Sequence, residues 1–173
     1  MNACRKLRLV VLFLVLGCTV GCDQTSKHIA RTELGRLDLV MLPGGFGELR
    51  LAENPGSFLS LGESLSVPMR TALLTIGVGA GLLGLLAYLV SGAGLSWFSF
   101  TGLAMAWAGG MSNLIDRVAR QGNVTDFVII HIGPLHTGVF NAADVVILLG
   151  VATLICDLWK RQRSHLPEPS KTK

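Results

Sequence analysis

Three aspartates stand inside or at the end of apolar runs, and a fourth, which alone would read as a turn residue, stands between two of them. Asp144 lies inside the run Val139 to Trp159, three residues after Asn141; Asp116, followed by Arg117, ends a long uncharged stretch; Asp23 precedes Lys27 by four residues in the first apolar segment; Asp126 lies between the last two runs. An ionisable side chain inside a membrane segment is expensive and is by default a functional-site hypothesis. Two facing carboxylates that share a proton can activate a water and protonate a leaving amine, which is aspartic-peptidase chemistry and needs only acids. Nucleophilic hydrolysis lacks its parts: there is no Gly-x-Ser-x-Gly elbow, and His131 and His136 read as plain loop residues without partners at ligand spacing. Cys4, Cys18, Cys22 and Cys156 lie in or beside the terminal apolar segments, which argues against a disulfide framework or a zinc site. No metal or organic cofactor is suggested.

The elements that must position these acids are membrane helices. From Thr71 to Ile115 the chain runs 45 residues without Asp, Glu, Lys or Arg. One helix of that length would measure roughly 68 Å, about twice a bilayer's hydrocarbon thickness, so two spans are expected, with the break at Ser91-Gly92-Ala93-Gly94. Half of the 173 residues are apolar, 15% are charged and the mean hydropathy is +0.55, against about 25% charged in a typical soluble domain. The expected architecture is an all-α membrane protein, one integral domain over 1–173, with spans near 9–30, 70–90, 95–115 and 139–159. Net charge is +4, but the basic residues cluster at the two ends, which reads as topology and not as a nucleic-acid surface. Arg5, Lys6 and Arg8 before the first span, and Lys160, Arg161 and Arg163 after the last, place both termini in the cytoplasm. The end of the cytoplasmic tail 160–173, from Ser164, is expected to be disordered.

With that topology Asp23, Asp116, Asp126 and Asp144 all fall at the outer face, while Asp157, beside Lys160 and Arg161, reads as an interfacial charge. The segment 31–66 alternates apolar and polar residues between Gly and Pro punctuation, as in Leu37 to Leu51, and is expected to form short strands on the outer membrane surface.

Five strings occur in order: Asp23-Gln24-Thr25-Ser26-Lys27; Asn54-Pro55-Gly56-Ser57-Phe58-Leu59-Ser60; Asn113-Leu114-Ile115-Asp116-Arg117; Val124-Thr125-Asp126-Phe127; and Phe140-Asn141-Ala142-Ala143-Asp144. Individually they carry little, but in this order on a four-span chain they resemble lipoprotein signal peptidase (signal peptidase II) over nearly the whole length. The resemblance implies a four-helix bundle with a small extracytoplasmic β cradle and a short periplasmic helix, and an aspartic dyad of Asp126 and Asp144. It implies hydrolysis on the amino side of a diacylglyceryl-modified cysteine, releasing the signal peptide of a bacterial prolipoprotein, at the periplasmic face of the inner membrane. Prolipoproteins and membrane lipid are the implied partners, and the chain is expected to be monomeric. Supporting roles pass to Asp23, Lys27, Asn54, Gly56, Asn113, Asp116, Arg117, Asn141 and Ala143. Among these, Asn141 shares a helical face with Asp144 and can donate toward the dyad, and Asp23 and Lys27 can pair or orient substrate. Asn113, Asp116 and Arg117 are expected to brace the dyad, and Asn54 and Gly56 to lie in a loop over the substrate. Asp23 with Lys27 also reads as a simple intramembrane ion pair, and Asp116 with Arg117 as an interfacial anchor. Two departures stand out: Ser112 where glycine is usual, and Leu59 where an aromatic is usual. Either could alter helix packing or substrate fit.

Two rival readings remain. Val15-Leu16-Gly17-Cys18 and Thr19-Val20-Gly21-Cys22 each look like a lipoprotein cleavage box, which would make the chain itself a substrate. A small transporter relaying protons through acids is the other, though it would spread its acids across the membrane and not gather them in one leaflet.

Overall fold

The computed structural model describes residues 3–37, 39–56, 65–91 and 94–164. Five helices and four strands follow in the order α1 (Ala3–Glu33), β1 (Val40–Met41), β2 (Gly47–Asn54), α2 (Val67–Thr71), α3 (Val78–Ser91), α4 (Trp97–Ala119), β3 (Val124–Ile132), β4 (Leu135–His136) and α5 (Ala142–Ser164). A π-helical turn, Ala72–Gly77, joins α2 to α3, so that Val67–Ser91 is one continuous 25-residue helical stretch. This stretch and Ala142–Arg163 are long and apolar enough to cross a membrane. Their large side chains point away from the protein: Ile76, Leu83, Leu148 and Ile155 are largely uncovered, as suits helices facing lipid. The molecule is mostly helical, with a small antiparallel sheet.

Helix ends follow local chemistry. Ser96 caps α4, its Oγ accepting from the Ser99 amide at 3.0 Å. At the other end, Gln121 (φ 54°) and Gly122 (φ 94°) reverse the chain into β3, and the Gly122 amide donates to the Arg117 carbonyl at 2.8 Å. The expected break between the second and third helices falls between Ser91 and Ser96; Gly92 and Ala93 lie outside the described residues.

Leu12, Leu89, Phe100, Ala104, Trp107 and Ala108 form the apolar core where α1, α3 and α4 meet, and Trp107 Nε1 donates to the Leu82 carbonyl at 3.0 Å. Helices α4 and α5 approach most closely through glycine. A Cβ on Gly102 would stand 2.8 Å from the Gly150 carbonyl, one on Gly150 2.5 Å from the Gly102 carbonyl, and one on Gly109 2.6 Å from the Ala143 carbonyl.

The sheet has the order β1-β2-β3-β4, all antiparallel. The sequence leads one to expect strands in the 31–66 segment but not β3 and β4, since residues 120–138 read as a loop. The His131 and His136 reading is corrected accordingly: they face each other across the β3/β4 hairpin, and His131 Nε2 lies 3.7 Å from Glu48. A register shift between Leu49 and Ala52 lets β2 continue alongside β3, setting Ala52 opposite Asp126 and Asn54 opposite Val124. The outer segment contains a 3-10 turn at Pro43–Gly45; residues 57–64, including Leu59, and the tail 165–173 lie outside the described residues.

Asp157 differs from its reading as a plain interfacial charge. It is buried, and its Oδ2 accepts from Ser96 Oγ at 2.7 Å, Ser99 Oγ at 2.5 Å and Arg161 Nε at 3.0 Å. A carboxylate on α5 thereby holds the first turn of α4, where the helix dipole favours negative charge.

Candidate functional site

Asn141 closes the first turn of α5 and brings the two expected catalytic acids to one place. Its Oδ1 accepts from the Asp144 amide at 3.1 Å, and Asp144 Oδ2 accepts from the Asn141 amide at 3.1 Å, a reciprocal cap with the acid at the third helical position. The same Asn141 side chain donates through Nδ2 to Asp126 Oδ1 at 2.6 Å and to Asn113 Oδ1 at 3.1 Å. One asparagine therefore touches both carboxylates, from its backbone on one side and its amide on the other.

Each acid has a further donor. Asn54, last in β2, donates to Asp126 Oδ2 at 2.9 Å, reaching diagonally across the β2/β3 ladder. Asn113, on α4, donates to Asp144 Oδ1 at 2.9 Å. Burial pushes the Asp126 carboxyl up to about 6, the charge of Asp144 adding to the rise and the amides of Asn54 and Asn141 opposing it.

Both aspartates line a cleft of about 860 Å3 whose walls include Leu74, Val78, Val145, Ile147 and Leu148. A mostly apolar cleft with a few converging polar groups at one end suits a substrate carrying hydrocarbon beside a polar bond.

The supporting residues separate into two groups. Asn54, Asn113 and Asn141 touch the acids directly. Asp23, Lys27 and Asp116 form a buried charge cluster behind them: Lys27 Nζ lies 2.7 Å from Asp23 and 3.0 Å from Asp116, and both Asp23 and Lys27 are 0% exposed. Asp23 and Lys27 are thus a pair inside the protein and do not face the lipid interface. Asp116 faces Lys27, with Arg120 at 3.9 Å, while Arg117 Nη2 donates to the Gly56 carbonyl at 2.8 Å. Gly56 also donates its amide to Asn54 Oδ1 at 2.9 Å, so the described part of that loop is tied down beside Asp126. Ala143, 0% exposed, contributes its backbone, the amide donating to Asp23 Oδ1 at 2.8 Å.

Ser112, Gln24 and Thr125 take parts in this network that the sequence did not reveal. Ser112 Oγ donates to Asp23 Oδ2 at 2.6 Å and Gln24 Nε2 donates to Asp116 Oδ1 at 3.2 Å. The Thr125 amide donates to Asp116 Oδ2 at 3.2 Å, while its hydroxyl donates to Glu53 at 3.0 Å and accepts from Arg31 at 3.1 Å. Gln24, three residues before Lys27 on α1, was the one available signal; Ser112 and Thr125 come from α4 and β3 and carry none.

A family model described as Signal peptidase (SPase) II matches residues 15–160. A lipoprotein signal peptidase of Syntrophus aciditrophicus (strain SB) is 30% identical over 161 residues, 91% of this chain and 98% of the relative. One of Solibacter usitatus (strain Ellin6076) is 30% identical over 141 residues, 82% and 85% respectively. A solved structure described as a bacterial membrane enzyme, obtained by the in meso method at 2.3 Å, superposes with a TM-score of 0.75 at 26% identity, covering 92% of this chain and 94% of that one. Apolar helices, a small sheet and a cleft lined by two hydrogen-bonded acids thus accompany a match over most of the length, and the chain belongs to the signal peptidase II family of membrane peptidases.

Proposed function

We propose that this chain is a lipoprotein signal peptidase that hydrolyses the bond on the amino side of a diacylglyceryl-modified cysteine, with Asp126 and Asp144 as an aspartic dyad. The observation that carries the reading is the pairing itself: two carboxylates, each held by two N–H donors and bridged by Asn141, at the polar end of an apolar cleft.

The dyad works with one proton between its two members. The ionised carboxylate takes a proton from a water, whose oxygen attacks the scissile carbonyl; the protonated carboxyl hydrogen-bonds the carbonyl oxygen as charge develops there. Collapse of the tetrahedral intermediate breaks the C–N bond, and a dyad proton passes to the leaving amine of the lipidated cysteine. Because both acids are held by neutral amides, either can lose or keep the proton without leaving a partner unpaired. The pair titrates in two coupled steps. The apolar walls accept the acyl chains, which brings the modified cysteine to the acids.

In the membrane we place four spans, α1, the Val67–Ser91 helix, α4 and α5, with both termini cytoplasmic and the sheet and dyad at the periplasmic face of the inner membrane, in a monomeric enzyme. Support comes from the charges: Arg8 Nη2 donates to the Leu95 carbonyl at 2.6 Å at the start of α4, the end of the bundle that also holds Arg161 and lies opposite the sheet.

The test is cleavage of a diacylglyceryl-modified prolipoprotein by detergent-purified enzyme. Asp126→Asn and Asp144→Asn, each verified as folded, are expected to lose at least about a thousandfold in kcat. Folded variants that cleave at the wild-type rate would remove the dyad, and a folded wild type inert on this substrate would remove the proposed cleavage site.

A further inference from the structure

Behind the dyad, Lys27 is fully buried and contacts three groups at once: Asp23 at 2.7 Å, Asp116 at 3.0 Å and Asn113 Oδ1 at 2.9 Å. Each of those contacts leads one step further, to a catalytic acid or its neighbour. Asp23 accepts the amide of Ala143, the residue before Asp144. Asp116 accepts the amide of Thr125, the residue before Asp126. Asn113 receives N–H donors on Oδ1 from both Lys27 and Asn141, which fixes its amide so that Nδ2 points at Asp144.

We infer that Lys27 is a positioning residue that sets the spacing and orientation of the two aspartates while touching neither substrate nor dyad. The inference rests on the dyad reading above. Its physical basis is that an ammonium shared between two carboxylates fixes the distance between them, and here each carboxylate carries the backbone of one catalytic strand or helix. α1 thereby serves as the common reference for β3 and α5, each of which carries its aspartate near its N-terminal end. A compact ammonium with three donors meets three acceptors, which no other side chain of that length supplies. Removing it loosens both backbones and takes away one of the two donors that hold Asn113 Oδ1, a displacement of the kind that costs rate without costing binding.

The role separates from mere structural support by comparing Lys27→Met with Lys27→Met/Asp23→Asn. The single variant leaves Asp23 without its cation. In the double variant the carboxamide oxygen introduced by Asp23→Asn can still accept the Ala143 amide, and Asp116 keeps Arg120 at 3.9 Å. In full-length enzyme in detergent, with a diacylglyceryl-modified prolipoprotein, both are expected to lose about a hundredfold in kcat with KM within about threefold of wild type. The double variant should recover thermal stability without recovering kcat. Recovery of kcat together with stability, or a folded Lys27→Met that keeps its kcat, overturns the proposal; should Lys27→Met fail to accumulate, the double variant decides on the same criterion. Asp126→Asn and Asp144→Asn run alongside: if they cleave normally the dyad reading fails, and if they are inert while the Lys27 variants are unimpaired, only the positioning role fails.

Discussion

Asn141 shows how one side chain can do two jobs that a sequence displays as one. The spacing Asn-x-x-Asp before an apolar run places both residues on one helical face, and that much was legible; the reciprocal cap and the reach across to Asp126 depend on β3 arriving at that point. The raised Asp126 pKa has a consequence for stability. A carboxyl whose folded pKa lies above its unfolded value near 3.8 stabilises the fold when protonated, so its contribution is fully present below about pH 4 and is lost as pH rises through about 6. Relative to Asp126→Asn, which does not titrate, the wild type should therefore lose on the order of 3 kcal/mol between pH 4 and pH 7.5. Unfolding midpoints of the two proteins in the same detergent across that range measure it, and parallel profiles would refute the shift. Asp23 and Lys27 were legible as charged groups inside an apolar span, and Asn54 only through the family resemblance; their partners were not, because a buried lysine with three acceptors looks in sequence like a simple i, i+4 pair.

At the scale of elements, the site depends on how closely α5 can approach α4. Gly109 lies against the Ala143 carbonyl and Ile147 Cγ1, both at 2.6 Å from a Cβ placed there, so Gly109→Ala must push the first turn of α5 away. Gly110, one residue on, meets only the flexible tip of Leu82 at 2.9 Å. Gly109→Ala is expected to cost about 1–3 kcal/mol and to lower kcat, while Gly110→Ala should be within about 1 kcal/mol of wild type. Thermal unfolding and cleavage rates of the pair check this, and equal effects would show that the close approach does not matter. The apolar helices are readable in the long uncharged runs. Strand β3 escapes because Val124 to Ile132 is bracketed by Gly122-Asn123 and Gly133-Pro134, a strand signal hidden by the expectation that a connection between two helices is a loop. Asp157 escapes for a related reason: a carboxylate near Lys160 and Arg161 looks solvated until Ser96 and Ser99 are brought to it from 58 or more residues away.

For the whole molecule, the clustering of basic residues at the end opposite the sheet predicts a fixed orientation. In a variant without the four native cysteines, Arg50→Cys should react with a membrane-impermeant thiol reagent in intact spheroplasts, and Arg163→Cys only after lysis; labelling of both, or the reverse pattern, would overturn the four-span arrangement. The sheet, however, joins parts of the chain that are far apart: β2 ends at Asn54 and its partner β3 begins at Val124, with two long helices between. A ribosome adding about 5–20 residues per second leaves β2 several seconds without its partner strand. Asn141 and Asp144 follow later still, with the last helix to be inserted. On the dyad reading, a chain cut short before Asn141 holds at most one of the two aspartates and no amide to bridge it, so such a fragment is expected to be inert.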